Sequence, residues 1–214
     1  EGWWTDYEDN LRSEFPTGWY AQAAVSAITY DVMDDQDEAW DTISIGMDGL
    51  WQVMAGPMVE QEALANIFTF ISALDGSVDP ASLNQLAAKN GIEVVEDSFA
   101  KGLQDDAGFA PNLPLYHSLP DTLGALEVTL RVPDGSSRFN KAENNRYLKV
   151  TGNGEMLEVF TMSAQDVDLE VFDRGVSIGR SESPTGEESV FIQTDVGRTY
   201  VAVVTGWHNE SGQV

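Results

Sequence analysis

The stretch Asp166-Val-Asp-Leu-Glu-Val-Phe-Asp173 (DVDLEVFD) alternates carboxylate and apolar side chains over most of its length. Because successive side chains of a β-strand point to opposite faces, the pattern predicts a strand with one apolar and one anionic face. Its carboxylates would lie about 6–7 Å apart, so they share a cation only if a loop or a second strand supplies further oxygens. The pattern therefore favours a solvated outer face. The side chains expected to face a core are Val167, Leu169, Val171 and Phe172.

Short segments in which apolar residues recur with the same two-residue period lie on both sides of this stretch, in the second half of the chain. Clusters of Gly, Pro, Asn, Asp and Ser separate them, as turns separate antiparallel strands. The predicted strands are Ala125–Val132, Arg146–Thr151, Leu157–Met162, Val167–Phe172, Ser189–Thr194 and Thr199–Val204. Six or more short strands at this spacing predict a small antiparallel β-sandwich of the jelly-roll or immunoglobulin-like type.

In the first half of the chain, apolar residues instead recur with the period of an α-helix. Asp79 followed by Pro80 is a strong helix start, because the carboxylate caps the first turn and proline fits its first position. Gly91 is expected to end that helix. The predicted helices span residues 19–33, 48–54, 60–74, 80–90 and 97–103. One stripe of the first helix holds Trp19, Ala23, Ser26, Ala27, Tyr30 and Met33, and its Ala-rich opposite side suggests close packing against a neighbour.

A proline-rich segment separates the two halves. Residues 110–120 hold three prolines in eleven residues, which predicts an extended connector. The expected fold class is therefore α + β in two domains, with an N-terminal all-α helical domain followed by a small antiparallel β-sandwich. The predicted boundaries are 1–110 for the helical domain, 111–122 for the connector and 123–214 for the β-sandwich.

The charge of the chain is its most unusual property. Its 214 residues include 36 Asp and Glu against 11 Lys and Arg, a formal net charge of −25. A field of this sign repels nucleic acid and anionic membrane surfaces, so neither is a predicted partner. A halotolerant surface and simple selection for solubility both explain the charge. The 42% hydrophobic content suits a globular core, and no apolar run approaches the roughly 20 residues of a membrane span.

The residues that usually carry catalysis are scarce. Cysteine is absent, and the only histidines are His117 and His208. A catalytic zinc site usually needs three protein ligands, most of them His, and the chain contains no HExxH motif. A P-loop and a dinucleotide-binding fingerprint are also missing. We therefore assign no catalytic residue and no cofactor in this chain, apart from the candidate calcium site that follows.

An acidic loop is the best candidate metal site. Calcium is bound by six to eight oxygens, and clustered carboxylates supply them. The candidate calcium ligands are Asp34, Asp35, Asp37 and Asp41. The order of residues does not fit an EF-hand, since the loop lacks its glycine and its closing glutamate. A solvated helix end is the alternative interpretation of the same run.

Aromatic side chains offer candidate binding residues. Tyr147 and Trp207 lie near predicted strand ends, where loop aromatics can contact a sugar or a protein. The alternative is that both belong to a core or an interface, which is the more common place for aromatic residues.

Four blocks occur in order in the last third of the chain. They are Arg146-Tyr-Leu-Lys-Val-Thr-Gly152, Asp166–Asp173, Glu187-Glu-Ser-Val-Phe-Ile192 and Gly197-Arg-Thr-Tyr-Val-Ala-Val-Val204. This part of the chain resembles the bacterial pre-peptidase C-terminal domain, a small β-sandwich appended to secreted peptidases. The resemblance implies a non-catalytic domain that aids secretion, folding or substrate attachment.

Four stretches of the helical half also show a resemblance. They are residues 18–32, 45–54, 67–74 and 114–116. They are similar to the region that follows the catalytic site in a group of secreted HExxH metallopeptidase-like proteins. The resemblance implies that any zinc belongs to an upstream catalytic domain. Glu1-Gly-Trp3 is similar to the E-G-W that carries a zinc ligand in such enzymes, but it stands too close to Gly18, so we transfer no ligand role to Glu1.

The two resemblances together predict the non-catalytic C-terminal portion of a secreted metallopeptidase-like protein. The helical part would brace the peptidase, and the strand-rich part would aid secretion or substrate attachment. The predicted partners are an upstream peptidase domain or a polymeric substrate, either protein or polysaccharide. A stand-alone extracellular module that binds carbohydrate or protein is the alternative. Both interpretations predict a secreted, cell-surface or periplasmic location.

Overall fold

The computed structural model describes residues 17–35, 39–95, 97–104, 113–120, 124–130 and 144–206. The chain forms two compact units. The first lies within residues 1–60 and 65–108, and the second within residues 61–64 and 109–214. The domain boundaries at residues 110 and 122 stay a prediction.

Short helices separated by turns and irregular chain make up the first unit. They are α1 (Gln22–Met33), α2 (Gly46–Ala55), α3 (Ile67–Ala73) and α4 (Pro80–Lys89). None of the described helices is both long and apolar enough for a membrane span. The larger buried side chains of this unit include Ile28, Val32, Leu50, Val53, Phe68, Phe70, Ile71, Leu74, Leu83 and Leu86.

The buried face of α1 differs from the predicted stripe. The structure buries Ala24, Ala27, Ile28, Asp31 and Val32. Apolar and small side chains surround almost the whole helix, so the periodicity of its sequence does not predict which face is buried. The small alanines on the buried side allow close approach of neighbouring chain.

Helix ends follow the local capping chemistry. The Asp79 carboxylate accepts a hydrogen bond from the Ser82 N–H at 2.9 Å, and Pro80 occupies the first turn, which confirms the predicted start of α4. Gly91, at φ +68°, follows the end of that helix as predicted. The predicted helix at residues 60–74 is wrong in its start, because the Asn66 side chain caps the N–H groups of Phe68 and Thr69.

Residues 97–103 contain no α-helix, contrary to the prediction. The Asp97 carboxylate accepts a hydrogen bond from the Phe99 N–H at 2.8 Å, and Ala100 has a φ of +55°. A helix cannot continue through a left-handed residue, so this segment forms a turn.

The second unit contains seven described strands. They are β1 (Tyr116–Ser118), β2 (Asn145–Thr151), β3 (Met156–Met162), β4 (Val167–Asp173), β5 (Val176–Ser181), β6 (Glu187–Gln193) and β7 (Thr199–Gly206). Five of them form a sheet in the order β1-β2-β7-β4-β5, and β3 pairs with β6 in a separate two-stranded sheet. The β1–β2 pairing is parallel, while the other pairings are antiparallel.

One hydrophobic core lies between the two sheets. The five-stranded sheet contributes side chains from β2, β4 and β7, and the two-stranded sheet contributes Val159, Val190 and Ile192. Leu130, from a segment without regular structure, completes it. The core side chains of the larger sheet are Leu148, Val150, Val167, Leu169, Val171, Tyr200, Ala202 and Val204.

The predicted fold class, an all-α domain followed by an antiparallel β-sandwich, is wrong. The helices are short and scattered, and the larger sheet is mixed because β1 lies parallel to β2. The second sheet has only two strands, so the described residues form no closed sandwich of the jelly-roll or immunoglobulin-like type. The parallel strand lies inside the segment predicted as a connector.

Several strand predictions also change at residue level. Residues 124–130 lie in no strand, although Leu130 is buried and Val128 packs against the core; Val132 lies outside the described residues. β5 was not predicted. Val167, Leu169 and Val171 face the core as predicted, whereas the half-buried Phe172 is not part of it.

A buried carboxylate connects β6 to the end of β5 and to the chain that follows it. Glu188 is 2% exposed and lies on the core-facing side of β6 with Val190 and Ile192. Its oxygens accept hydrogen bonds from the Ser181 and Ser183 hydroxyl groups and from the Ser183 N–H at 3.0 Å. Three donors satisfy a carboxylate that would otherwise be costly to bury.

We expect Glu188→Ala to lower the free energy of unfolding by about 3 kcal/mol, because three donors lose a charged acceptor. The matched control is Glu187→Ala, which removes the neighbouring exposed carboxylate and should change stability by less than about 0.5 kcal/mol. Urea unfolding followed by circular dichroism measures both. Equal losses of unfolding free energy for the two variants would contradict the stabilising role of Glu188.

The stabilisation by Glu188 should depend on pH. Burial raises the pKa of this carboxyl group, but the hydrogen bonds from Ser181 and Ser183 outweigh burial and hold the pKa below its ordinary value of 4.5. A carboxyl group with a lowered pKa in the folded state stabilises the fold above its unfolded pKa, and the contribution is lost as pH falls through the folded pKa. The stability difference between the wild type and Glu188→Gln should therefore be full at neutral pH and shrink below about pH 4.5. A difference that stays constant in acid would refute this.

Candidate functional site

The structure describes three of the four predicted calcium ligands in the acidic loop after α1. Asp41 is completely buried, and its Oδ1 accepts a hydrogen bond from the Ile43 N–H at 2.8 Å, so this carboxylate supports a turn. Asp34 caps the end of α1 and is half-buried, while Asp35 is exposed. Asp37 lies outside the described residues. Among the residues with described positions, no group of three or more His, Asp or Glu side chains is placed to hold a metal ion. The calcium site stays a prediction.

Tyr147, a predicted binding residue, takes part in packing between strands. It lies opposite Tyr116 in the parallel β1–β2 pair, and the two ring centroids are 5.6 Å apart. The Tyr116 hydroxyl group in turn accepts a hydrogen bond from the Leu64 N–H at 3.2 Å. Tyr147 is half-buried, so only part of its ring is open to a ligand. Trp207, the other predicted binding residue, lies outside the described part of the chain.

His117 lies in β1, where it is half-buried. Burial lowers its pKa, and the nearby positive charge of Arg146 lowers it further, so the imidazole is neutral at pH 7. The buried Arg146 guanidinium group donates a hydrogen bond to the Asn145 carbonyl oxygen at 2.7 Å. His208 lies outside the described residues, so the structure does not place the two histidines relative to each other.

The anionic side of DVDLEVFD forms a shallow cleft at the edge of the larger sheet. Asp168 and Glu170 of β4 line it together with Arg180, Glu182 and Thr205, and its volume is about 200 Å³. Arg180 lies opposite Glu170 in the β4–β5 register and forms an ion pair with Glu182. The Arg180 guanidinium group partly neutralises the nearby carboxylates. The face of β4 that carries Asp168 and Glu170 is therefore a polar outer face with its own counter-charge.

An exposed apolar stripe lies on α2, in the first unit. Leu50 and Val53 are buried on one side of this helix. Met47, Trp51 and Met54, which we call the α2 surface, lie at positions i, i+4 and i+7 and therefore share another side. Their exposed fractions are 64%, 70% and 43%.

The local sequence explains how α2 presents this stripe. The helix begins at Gly46, which has a φ of +67°, and Asp48 in the first turn interacts favourably with the helix dipole. The Ile45 N–H donates to the Val32 carbonyl oxygen at 3.0 Å, which fixes the helix start against the end of α1. Clustered exposed apolar side chains of this size usually mark a contact surface. We did not predict these residues as a site, although their spacing is a visible signal.

Comparison of the chain with protein-family models, with curated proteins and with solved structures finds no match. The two family resemblances therefore stay predictions.

The role of Asp41 can be separated from calcium binding. We expect Asp41→Ala to lower the free energy of unfolding by about 2 kcal/mol, because the buried Ile43 N–H loses its acceptor. The loss should be equal in excess chelator and in millimolar calcium, as measured by thermal unfolding. Asp35→Ala, at an exposed position of the same loop, is the control and should have little effect. A loss seen only in calcium would assign Asp41 to a metal site instead.

Proposed function

We propose that this chain is a non-catalytic accessory part of a secreted metallopeptidase-like protein and that it braces the peptidase domain through the α2 surface. The single observation that carries the proposal is the exposed stripe of Met47, Trp51 and Met54. The second unit would aid secretion or attach polymeric substrate. Any zinc would belong to the peptidase domain.

The chemistry of the α2 surface supports a protein partner. Tryptophan and methionine are enriched in protein interfaces, and a central Trp often dominates the binding energy. Two flexible methionines beside Trp51 can adapt to the surface that covers them. A stripe of three apolar side chains along one helix is the usual form of a helix that docks in a groove.

The position of the stripe in the sequence supports the identity of the partner. α2 falls within residues 45–54, one of the stretches that resemble the region after the catalytic site of secreted metallopeptidase-like proteins. A contact made by this helix would therefore be with the domain that precedes it in such proteins. The net charge of −25 supports a secreted or cell-surface location, where it would keep the chain soluble at high salt.

The gene that encodes the chain provides the first test. We expect its open reading frame to contain an HExxH motif upstream of residue 1. We also expect the chain alone to show no casein or peptide hydrolysis with zinc supplied. Turnover by this chain that a chelator abolishes would overturn the proposal. A signal peptide placed directly before residue 1 would favour the stand-alone binding module.

The second test uses the full-length product with Trp51→Ser. If the α2 surface braces the peptidase, loss of a central Trp should cost about 2 kcal/mol of interface energy. The temperature of half-inactivation of peptidase activity should then fall by about 4–8 °C. The matched control is Phe191→Ser, which removes a similarly exposed aromatic residue from the second unit and should leave this temperature unchanged. Equal behaviour of the two variants would contradict the proposal.

A further inference from the structure

The outward face of the two-stranded sheet is a second exposed apolar surface. Met156, Phe160 and Met162 of β3 and Phe191 of β6 all lie on this face, opposite the core side chains of the same strands. Their exposed fractions are 65%, 58%, 78% and 62%. We call these four residues the β3–β6 surface. Together they expose several hundred Å² of apolar area, more than scattered surface residues do.

The register makes these side chains contiguous. Phe191 lies opposite Glu158, so Met156 and Phe160 are its two diagonal neighbours. Met162 extends the row by one further position on the same face. From Met156 to Met162 the row is about 20 Å long, which equals about four turns of an α-helix.

The two strands of this surface and their flanking turns carry charge of only one sign. Glu158 and Glu187 lie on the same face, and the Glu158 carboxylate accepts a hydrogen bond from the Ser189 hydroxyl group at 2.6 Å. Residues 150–173 and 181–197, which contain both strands and their flanking turns, include no Lys, Arg or His. Of the nearest bases, Arg180 is paired with Glu182, and Arg198 is paired with Asp173 at 2.6 Å.

We propose that the β3–β6 surface binds a cationic amphipathic helix of a partner protein, with its apolar stripe on the Phe and Met row and its Lys or Arg residues beside Glu158 and Glu187. A helix fits because the sheet face offers side chains rather than free backbone groups, and a helix satisfies its own backbone while presenting a single apolar stripe. Glu158 and Glu187 form no ion pair within the described part of the chain, so they select a basic partner.

The same charges disfavour the other occupants. An anionic membrane surface or a nucleic acid would be repelled. A second copy of this chain would bring together two molecules that each carry a net charge of −25. The inference does not depend on the α2 surface or on a peptidase partner.

The test uses a fluorescein-labelled Leu/Lys peptide with the pattern of an amphipathic helix of about four turns. Its binding to the full chain is measured by fluorescence anisotropy. A Leu/Glu peptide and a Ser/Lys peptide of the same pattern are the ligand controls. We expect the Leu/Lys peptide to bind, and the other two to bind at least about tenfold more weakly, because each lacks one of the two attractions.

Variants locate the peptide on the protein. Phe160→Ser with Phe191→Ser should weaken binding at least about tenfold, a loss of about 1.4 kcal/mol. Val176→Ser, at an equally exposed apolar position on β5, should leave it unchanged. Glu158→Gln with Glu187→Gln should weaken binding and reduce its salt dependence. Met162→Lys provides an independent variant if the double Phe variant does not fold, as judged by circular dichroism, and it should also weaken binding.

Three results would overturn the inference. Equal binding by the wild type and the Phe variant, or by Met162→Lys if that variant is needed, would mean general attraction to an acidic protein. Equal binding of the Leu/Glu peptide would mean that charge does not select the partner. A dimer in light scattering that the Phe variant dissociates would assign the surface to a second copy of the chain. Since Trp51 lies outside this surface, Trp51→Ser should bind the peptide like the wild type, so this inference and the peptidase proposal fail independently.

Discussion

The second unit depends on β7, a strand buried on both faces at the centre of the larger sheet. It pairs with β2 along Asn145–Thr151 and with β4 on its other edge, so it sets the register of both neighbours. Tyr200, Ala202 and Val204 point into the core, while Val201 and Val203 are buried on the opposite side. A near-continuous apolar run of this kind suits a central strand. Because β7 holds β4 in place, the alternation in DVDLEVFD becomes a core face and a polar outer face.

Local patterns predicted part of the local structure correctly, and long-range pairing poorly. The alternation in β4 and the Asp79–Pro80 helix start depend on neighbours in sequence, and both are present. The parallel β1–β2 pair joins segments that are far apart in the chain, so no local period announces it. β5 was missed because Gly179 weakens the strand pattern. A Cβ at Gly179 would lie 2.3 Å from the Val190 Cγ1 atom, so the glycine is needed where β5 passes β6.

The two exposed apolar surfaces could be predicted only in part, for a related reason. α2 has apolar residues on two sides, and a helical period does not tell which side is covered by the rest of the unit. The same ambiguity applies to β3, because apolar residues lie on both of its faces and the pattern does not tell which face is exposed. Tyr147 was singled out as a ligand contact, yet its ring lies against Tyr116. The folded chain determines which apolar side chains are exposed, and the sequence pattern supplies only the candidate residues.

The two apolar surfaces have an unusual composition, because four of the six methionines in the chain lie on them. They are Met47, Met54, Met156 and Met162. Oxidation turns a methionine thioether into a polar sulfoxide, and exposed thioethers react before buried ones. An oxidant that reaches the folded protein therefore changes these two exposed surfaces first and leaves its hydrophobic cores intact. Peroxide, rather than heat, is the stress that should alter these two surfaces without unfolding the molecule.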